Sequence, residues 1–166
     1  DVCSSDLGNG KFKNVSNKLK VNTQSWSLAS LAYDYNQDGY SDLHVVNDFA
    51  EDELFLYNKA GYFEESASKI GLDDRGAGMN ISVTDYNHDG YFDSYITVVD
   101  MFSKHISFQL PTDKATFQID DYILNSAFYL TGNKFFINNS GTQAISKESE
   151  LFEPGDKGWG WGAAFF

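Results

Sequence analysis

The stretch DYNQDGYSD at residues 34–42 returns as DYNHDGYFD at residues 85–93. Asp34, Asn36, Asp38, Gly39 and Asp42 are thereby repeated as Asp85, Asn87, Asp89, Gly90 and Asp93, at an offset of 51. The order Asp, x, Asn, x, Asp, Gly brings alternate side-chain oxygens toward one point, while the glycine permits the tight turn. A hard cation such as Ca2+ takes six to eight oxygens and needs such a concentration of carboxylates and carbonyls. In the first loop the expected ligands are the side chains of Asp34, Asn36 and Asp38, the Tyr40 carbonyl, and the closing carboxylate of Asp42. In the second, Asp85, Asn87, Asp89, the Tyr91 carbonyl and Asp93 take the same parts. An EF-hand begins in the same way, but it closes with a bidentate Glu at its twelfth position and is flanked by helices. The twelfth residues here are Val45 and Ile96, inside runs that read as strands, so a strand-loop-strand site is expected instead.

Outward from the loops, the offset of 51 also lays Gly10 and Phe12 on Gly61 and Phe63. A third copy begins late. FFINNSG at 135–141 resembles FLYNKAG at 55–61, and GWGWGAAFF at 158–166 stands where GAGMNISVT (76–84) and SWSLASLAY (25–33) precede their Asp loops. Within one repeat the order is SLASLAY, the Asp loop, DLHVVND, ELFLYN, a Gly turn and YFEES. Short runs rich in Val, Ile, Tyr and Phe between Gly, Asn and Asp turns predict four successive antiparallel strands. Helical spacing is supported only at ASKIGL, 67–72, as a single turn. Four strands in a repeat of about 40 to 50 residues is the pattern of a propeller blade.

The expected fold class is therefore all-β, a fragment of a β-propeller built from four-stranded antiparallel blades. Residues 8–166 would hold about two blades and parts of their neighbours, and the sequence reads as cut at both ends. An insert at 102–132 reads as a decoration of one inter-strand loop, with aromatic and Ile content suited to packing. The opening DVCSSDL, residues 1–7, reads as the translated end of a sequencing adapter and is set apart from the fold.

The chain has 166 residues with 24 Asp+Glu against 12 Lys+Arg, a formal net charge of -12. That balance disfavours nucleic-acid binding, which needs cations to neutralise phosphates. With 14 Phe, 10 Tyr and 3 Trp, the chain has ample material for a strand-built core. The only cysteine, Cys3, lies within residues 1–7, so a disulfide framework and a Cys-based zinc site are excluded from the remainder. No run is apolar for long enough to span a bilayer as a helix.

There is no G-x-S-x-G elbow, H-E-x-x-H, P-loop or dinucleotide fingerprint. His44, His88 and His105 have no partner spacing and are expected in structural or surface roles, His88 replacing Gln37 at a loop position that points away from the metal. The adjacent acids Glu64 and Glu65, Asp73 and Asp74, and Asp120 and Asp121 would point to opposite faces in a strand, and solvated charge explains them better than glycoside chemistry. N-x-S sequons stand at Asn14, Asn80 and Asn138.

Together the D-x-N-x-D-G-x-x-D loops, LFLYNKAGYFEESASKIGL, WSLASLAYDYNQDGYSDLHVVND and the terminal GWGWGAAFF resemble the FG-GAP/VCBS repeat propellers, particularly the branch related to cartilage acidic protein. Integrin alpha-chain propellers are similar more distantly, through the same loop. Gln143 departs from the pattern, standing where Phe12 and Phe63 lead one to expect an aromatic. The resemblance implies calcium at blade edges and a secreted, periplasmic or cell-surface location. It also implies a non-catalytic role in recognition or cell adhesion toward an extracellular protein or glycan, with Tyr40, Tyr91 and the insert available to a ligand. The alternative is an accessory propeller of a secreted polysaccharide-degrading enzyme whose catalytic residues lie elsewhere.

Overall fold

The computed structural model describes residues 4–6, 10–23, 25–99, 133–146 and 162–164. In chain order the elements are β1 (Ser4–Asp6), β2 (Phe12–Asn14), α1 (Ser16–Leu19), β3 (Trp26–Tyr33), β4 (Asp42–Glu51), β5 (Glu53–Asn58), β6 (Tyr62–Glu65), α2 (Ala67–Ile70), β7 (Arg75–Thr84), β8 (Asp93–Val98), β9 (Lys134–Asn139) and β10 (Gln143–Ser146). Two four-stranded antiparallel units result, β3 to β6 and β7 to β10, as the sequence pattern leads one to expect. This curled, antiparallel all-β architecture is that of part of a β-propeller. The insert at 102–132 lies outside the described residues, as does GWGWGAAFF apart from residues 162–164, where the Ala163 carbonyl accepts a bond from Asn80 Nδ2 at 3.4 Å.

The repeat extends to details of register. β1 pairs with β2 through Ser4–Asn14 and Asp6–Phe12, and β5 pairs with β6 through Phe55–Glu65 and Tyr57–Phe63, each the same pairing shifted by 51. A bulge interrupts β3 against β4 between Ser27 and Ala29, and its counterpart interrupts β7 against β8 between Gly78 and Asn80. Even α1, which the sequence reading did not anticipate, is the counterpart of α2. Lys20 (φ 59°) and Gly71 (φ 92°) end the two turns in the left-handed region.

One unit covers the other through alternation along the strands. Val46 and Leu54 point into a core shared with Ala77, Ile81, Ile96, Val98, Phe136 and Ala144 of the second unit, joined by Ala67, Ile70 and Leu72 from the connector. Their neighbours Val45 and Phe55 point the other way, onto Val21 and Leu19 beside α1. The side-chain period of two in a strand makes this division possible. Strand β4 also passes from one partner to another along a single edge. Leu43 to Val45 pair with β5, and Asp48 to Glu51 pair with β7, so one hydrogen-bonded sheet runs through both units.

The third copy aligns differently in space than by letters. FFINNSG matches FLYNKAG at an offset of 80, yet Ser94 pairs with Phe136 where Leu43 pairs with Phe55, and Asn139 pairs with Gln143 where Asn58 pairs with Tyr62. The structural offset is 81, because the turn glycine sits one place earlier in the second hairpin. Gly61 alone is left-handed in the first turn, whereas Ser140 (φ 55°) and Gly141 (φ 70°) both are in the second. Consecutive positive φ values are those of a type I′ turn. Asn138 consequently occupies the place of Tyr57, and Ala144 rather than Gln143 takes that of Phe63.

Candidate functional site

Each Asp loop connects the first two strands of its unit, β3 to β4 and β7 to β8, so the sites are flanked by strands. The loops close on themselves by side chains accepting backbone N–H groups. In the first, the Asp38 amide donates to Asp34 Oδ1 and Asn36 Oδ1, both at 3.1 Å, Gly39 to Asp34 Oδ2 at 2.9 Å, and Tyr40 to Asp38 Oδ1 at 3.0 Å. In the second, Asp89 donates to Asp85 Oδ1 (3.0 Å) and Asn87 Oδ1 (3.1 Å), Gly90 to Asp85 Oδ2 (3.0 Å), and Tyr91 to Asp89 Oδ1 (2.8 Å). These four backbone bonds recur in both loops, and the second adds Asn87 Nδ2 donating to Asp89 Oδ2 at 2.9 Å. Gln37 and His88 both adopt a left-handed φ, near 58° and 59°, followed two residues later by Gly39 and Gly90 at 90° and 93°.

The closing carboxylates differ from the rest. Asp42 and Asp93 are buried. Asp42 Oδ2 accepts the Tyr35 amide at 2.9 Å and Oδ1 the Tyr57 amide at 2.8 Å, tying the loop to β5. Asp93 repeats this with Tyr86 (2.8 Å) and Asn138 (2.8 Å), tying its loop to β9. Burial pushes both carboxyls above their ordinary range, opposed by the Tyr57 and Tyr35 amides at Asp42 and by the Asn138, Tyr86 and Asn87 amides at Asp93. The carboxylates of Asp38 and Asp34 raise Asp42 further, as that of Asp89 raises Asp93.

Among the described residues no three Asp, Glu, His or Cys side chains stand gathered closely enough to hold a metal ion. The loop oxygens rest instead on loop amides. An ionised carboxylate offers about four lone-pair directions, so Asp34 and Asp85, each accepting two N–H bonds, keep acceptor capacity for a cation. Three carboxylates, an amide oxygen and a backbone carbonyl in each loop form an all-oxygen set, the chemistry that suits calcium rather than a thiolate- or imidazole-seeking metal. By donor type, though not by the spacing of its carboxylates, each loop suits a hard divalent ion.

The loops also touch each other. Gln37 Nε2 donates to the Gly90 carbonyl. Asn138 Nδ2 donates to the Tyr35 carbonyl at 2.9 Å and to the Phe92 carbonyl at 3.3 Å, one in each loop segment. Around them Tyr40, Tyr86 and Phe92 are the exposed aromatics. Tyr40 packs against Tyr57 with ring centroids 5.4 Å apart, and Phe92 meets Tyr33 edge-on at 6.2 Å. The sequence reading named Tyr40 and Tyr91. Tyr91 is half-buried, and Tyr86 and Phe92 were missed, although their places next to Asp85 and Asp93 were a signal for them.

His44, Glu64, Glu65 and Asp74, also singled out from the sequence, have structural partners. His44 is buried, its Nδ1 3.1 Å from the Tyr33 hydroxyl, and burial pushes its pKa down to about 4, which keeps the ring neutral. Exposed Glu64 accepts from Asn58 (3.0 Å), and Glu65 accepts the Ala67 amide (2.7 Å) ahead of α2. Asp74 pairs with Lys134 at 3.7 Å. His105, Asp120 and Asp121 lie outside the described residues. Of the three sequons, Asn138 is buried and engaged in four hydrogen bonds, Asn80 is half-buried, and Asn14 is exposed.

Residues 34–96, which hold both loops, match the family described as FG-GAP-like repeat, consistent with the FG-GAP/VCBS resemblance drawn from the sequence. No curated protein matches the chain. Among the described residues no helix is long and apolar enough to cross a membrane.

Proposed function

We propose that this chain is a calcium-binding FG-GAP-type propeller module of a secreted, periplasmic or surface protein. Its work is recognition or adhesion toward a protein or glycan rather than catalysis. The observation that carries the metal reading is that the same four backbone bonds to side-chain oxygens recur in both Asp loops, which hold the same oxygens in the same order on two units of one fold. A plain acidic turn would have no physical reason to repeat both its left-handed positions and every side-chain acceptor. Asp34, Asn36, Asp38, the Tyr40 carbonyl and Asp42 would hold one ion, and Asp85, Asn87, Asp89, the Tyr91 carbonyl and Asp93 the other. Bound calcium would supply positive charge among carboxylates that otherwise repel one another.

Recognition is supported by the exposed Tyr40, Tyr86 and Phe92 beside the loops, since aromatics next to polar groups are what glycan and protein ligands commonly contact. His44, the only buried histidine among the described residues, is enclosed against Tyr33 and has no opening to a substrate.

Thermal unfolding of the chain in calcium and in chelator, beside a variant carrying Asp38→Ala and Asp89→Ala, tests the metal. An ion that binds only the folded state must raise its stability. The wild type should melt higher in calcium and the double variant should not. A transition indifferent to calcium would remove the metal from the reading, and a glycan or ectodomain array that captures nothing would remove the recognition role.

A further inference from the structure

Asn138 is 1% exposed, and its bonds converge on both loops. Its backbone amide donates to Asp93 Oδ1, its side-chain Nδ2 donates to the Tyr35 and Phe92 carbonyls, and its Oδ1 accepts the Gly141 amide at 2.8 Å. Tyr35 follows Asp34 and donates its own amide to Asp42, so its peptide is fixed at the neck of the first loop. Phe92 precedes Asp93 at the neck of the second. At the matching place in the first unit stands Tyr57, whose ring instead packs on Tyr40 and Phe63. The small amide is what admits the first loop. Gly141 lies against the Asn36 backbone, leaving no room for even a methyl group. Gln37 then reaches across to Gly90 at the loop tips.

We propose that Asn138 is a positioning residue that makes the two Asp loops one cooperative unit, so that calcium at either loop raises the affinity of the other. The inference rests on the reading of the loops as calcium sites. Ordering one loop fixes its neck carbonyl, and that carbonyl holds the Asn138 amide group in the plane the other neck carbonyl requires. The second ion therefore meets a loop whose ordering cost is already met, which is how a shared bonded element yields positive coupling.

The test is isothermal titration of the metal-stripped full chain with calcium chloride, comparing wild type, Asn138→Ala, Gln37→Ala and Asp89→Ala. The wild type is expected to fill two sites with a Hill coefficient above one, and Asp89→Ala to weaken the surviving first site by about fivefold, within the usual range of coupling. Asn138→Ala should retain two sites and lose the cooperativity, while its metal-free melting point is recorded separately. A merely structural role would lower that melting point and leave the cooperativity intact, which would overturn the proposal. Should Asn138→Ala fail to fold, Gln37→Ala removes the exposed tip bridge alone and should reduce the coupling. Two independent sites in the wild type would refute the coupling and leave the calcium reading standing, whereas no bound calcium would sink both.

Discussion

Gly141 meets Asn36 so closely that a Cβ on Gly141 would lie 2.7 Å from the Asn36 Cα, and Gly141 is also left-handed at φ 70°. Gly61, in the corresponding turn of the first unit, has a similar φ of 88° but no atom nearer than Tyr57 Oη at 3.8 Å. The two glycines therefore separate backbone strain from contact between units. Gly61→Ala should cost about 1 kcal/mol for its φ alone. Gly141→Ala should cost about 2 to 5 kcal/mol, because a backbone cannot yield as a side chain does. Urea denaturation in chelator measures both, and equal losses would mean that the second hairpin does not press on the first loop.

The closing and central acids of one loop should part company when metal is absent. Asp93 is buried and satisfies two amides, so Asp93→Ala strands both and should cost about 2 to 4 kcal/mol in chelator. Asp89 is exposed, and Asp89→Ala should cost about 0.5 kcal/mol under the same conditions. In calcium each variant should lose the second loop's share of the metal-dependent rise in melting temperature, the first loop keeping its own. A large loss for Asp89→Ala in chelator would contradict the division of labour drawn between them.

Asp52 gives a pH-dependent prediction. Its carboxyl is buried and pushed well above the usual carboxylate range by desolvation, with Asp74 and Glu53 adding to the shift, while Oδ1 accepts the Asn47 amide at 2.8 Å. The folded state thus holds the proton to higher pH than the unfolded chain. The associated stability is present below the unfolded value near 4 and lost as pH rises through the raised one. The second unit uses Asn133 in the same place, where its Oδ1 accepts the Val98 amide at 3.0 Å. Asp52→Asn should accordingly stabilise the protein by about 1 kcal/mol at pH 7 and by little near pH 4. A gain equal at both pH values would show that charge is not its cause.

Packing between the units can be read at Gly78, where a Cβ would fall 2.3 Å from Val46 Cγ1. Gly78→Ala should cost about 1 to 3 kcal/mol through overpacking. Adding Val46→Ala opens the space, so the double variant should be at least 0.5 kcal/mol more stable than the sum of the single losses predicts. Additive losses would place the two residues out of contact.

Both Asp loops, the strands around them and the strand-loop-strand setting were legible because they depend on local pattern and on a repeat at an offset of 51. The same offset would have disclosed α1, since SNKLKV at 16–21 lies on ASKIGL at 67–72 and Lys20 takes the left-handed place of Gly71. Asn138 was not legible. Its role depends on a one-residue change in hairpin register and on contacts to Tyr35, more than a hundred positions away in sequence, with the insert intervening. Read by letters, Asn138 matched Asn58 and scanned as a sequon. Its burial follows only from the packing of one unit on the next.

The passage of β4 from β5 to β7 also has a mechanical meaning. Asp48 to Glu51 pair antiparallel with Arg75 to Ala77, and the Asp52 amide donates to the Asp74 carbonyl at 2.8 Å, so residues 52–74 form a closed loop behind a clasp. Tension along the chain meets that clasp in the unzipping direction, loading its bonds one at a time, with β5 holding the same strand through Leu43 to Val45. When the clasp opens and β5, β6 and α2 then leave β4 and the core, the released length is on the order of 75 Å, given about 3.3 Å per extended residue. Single-molecule stretching would register this as a discrete extension step, the behaviour of a sacrificial link that yields in stages.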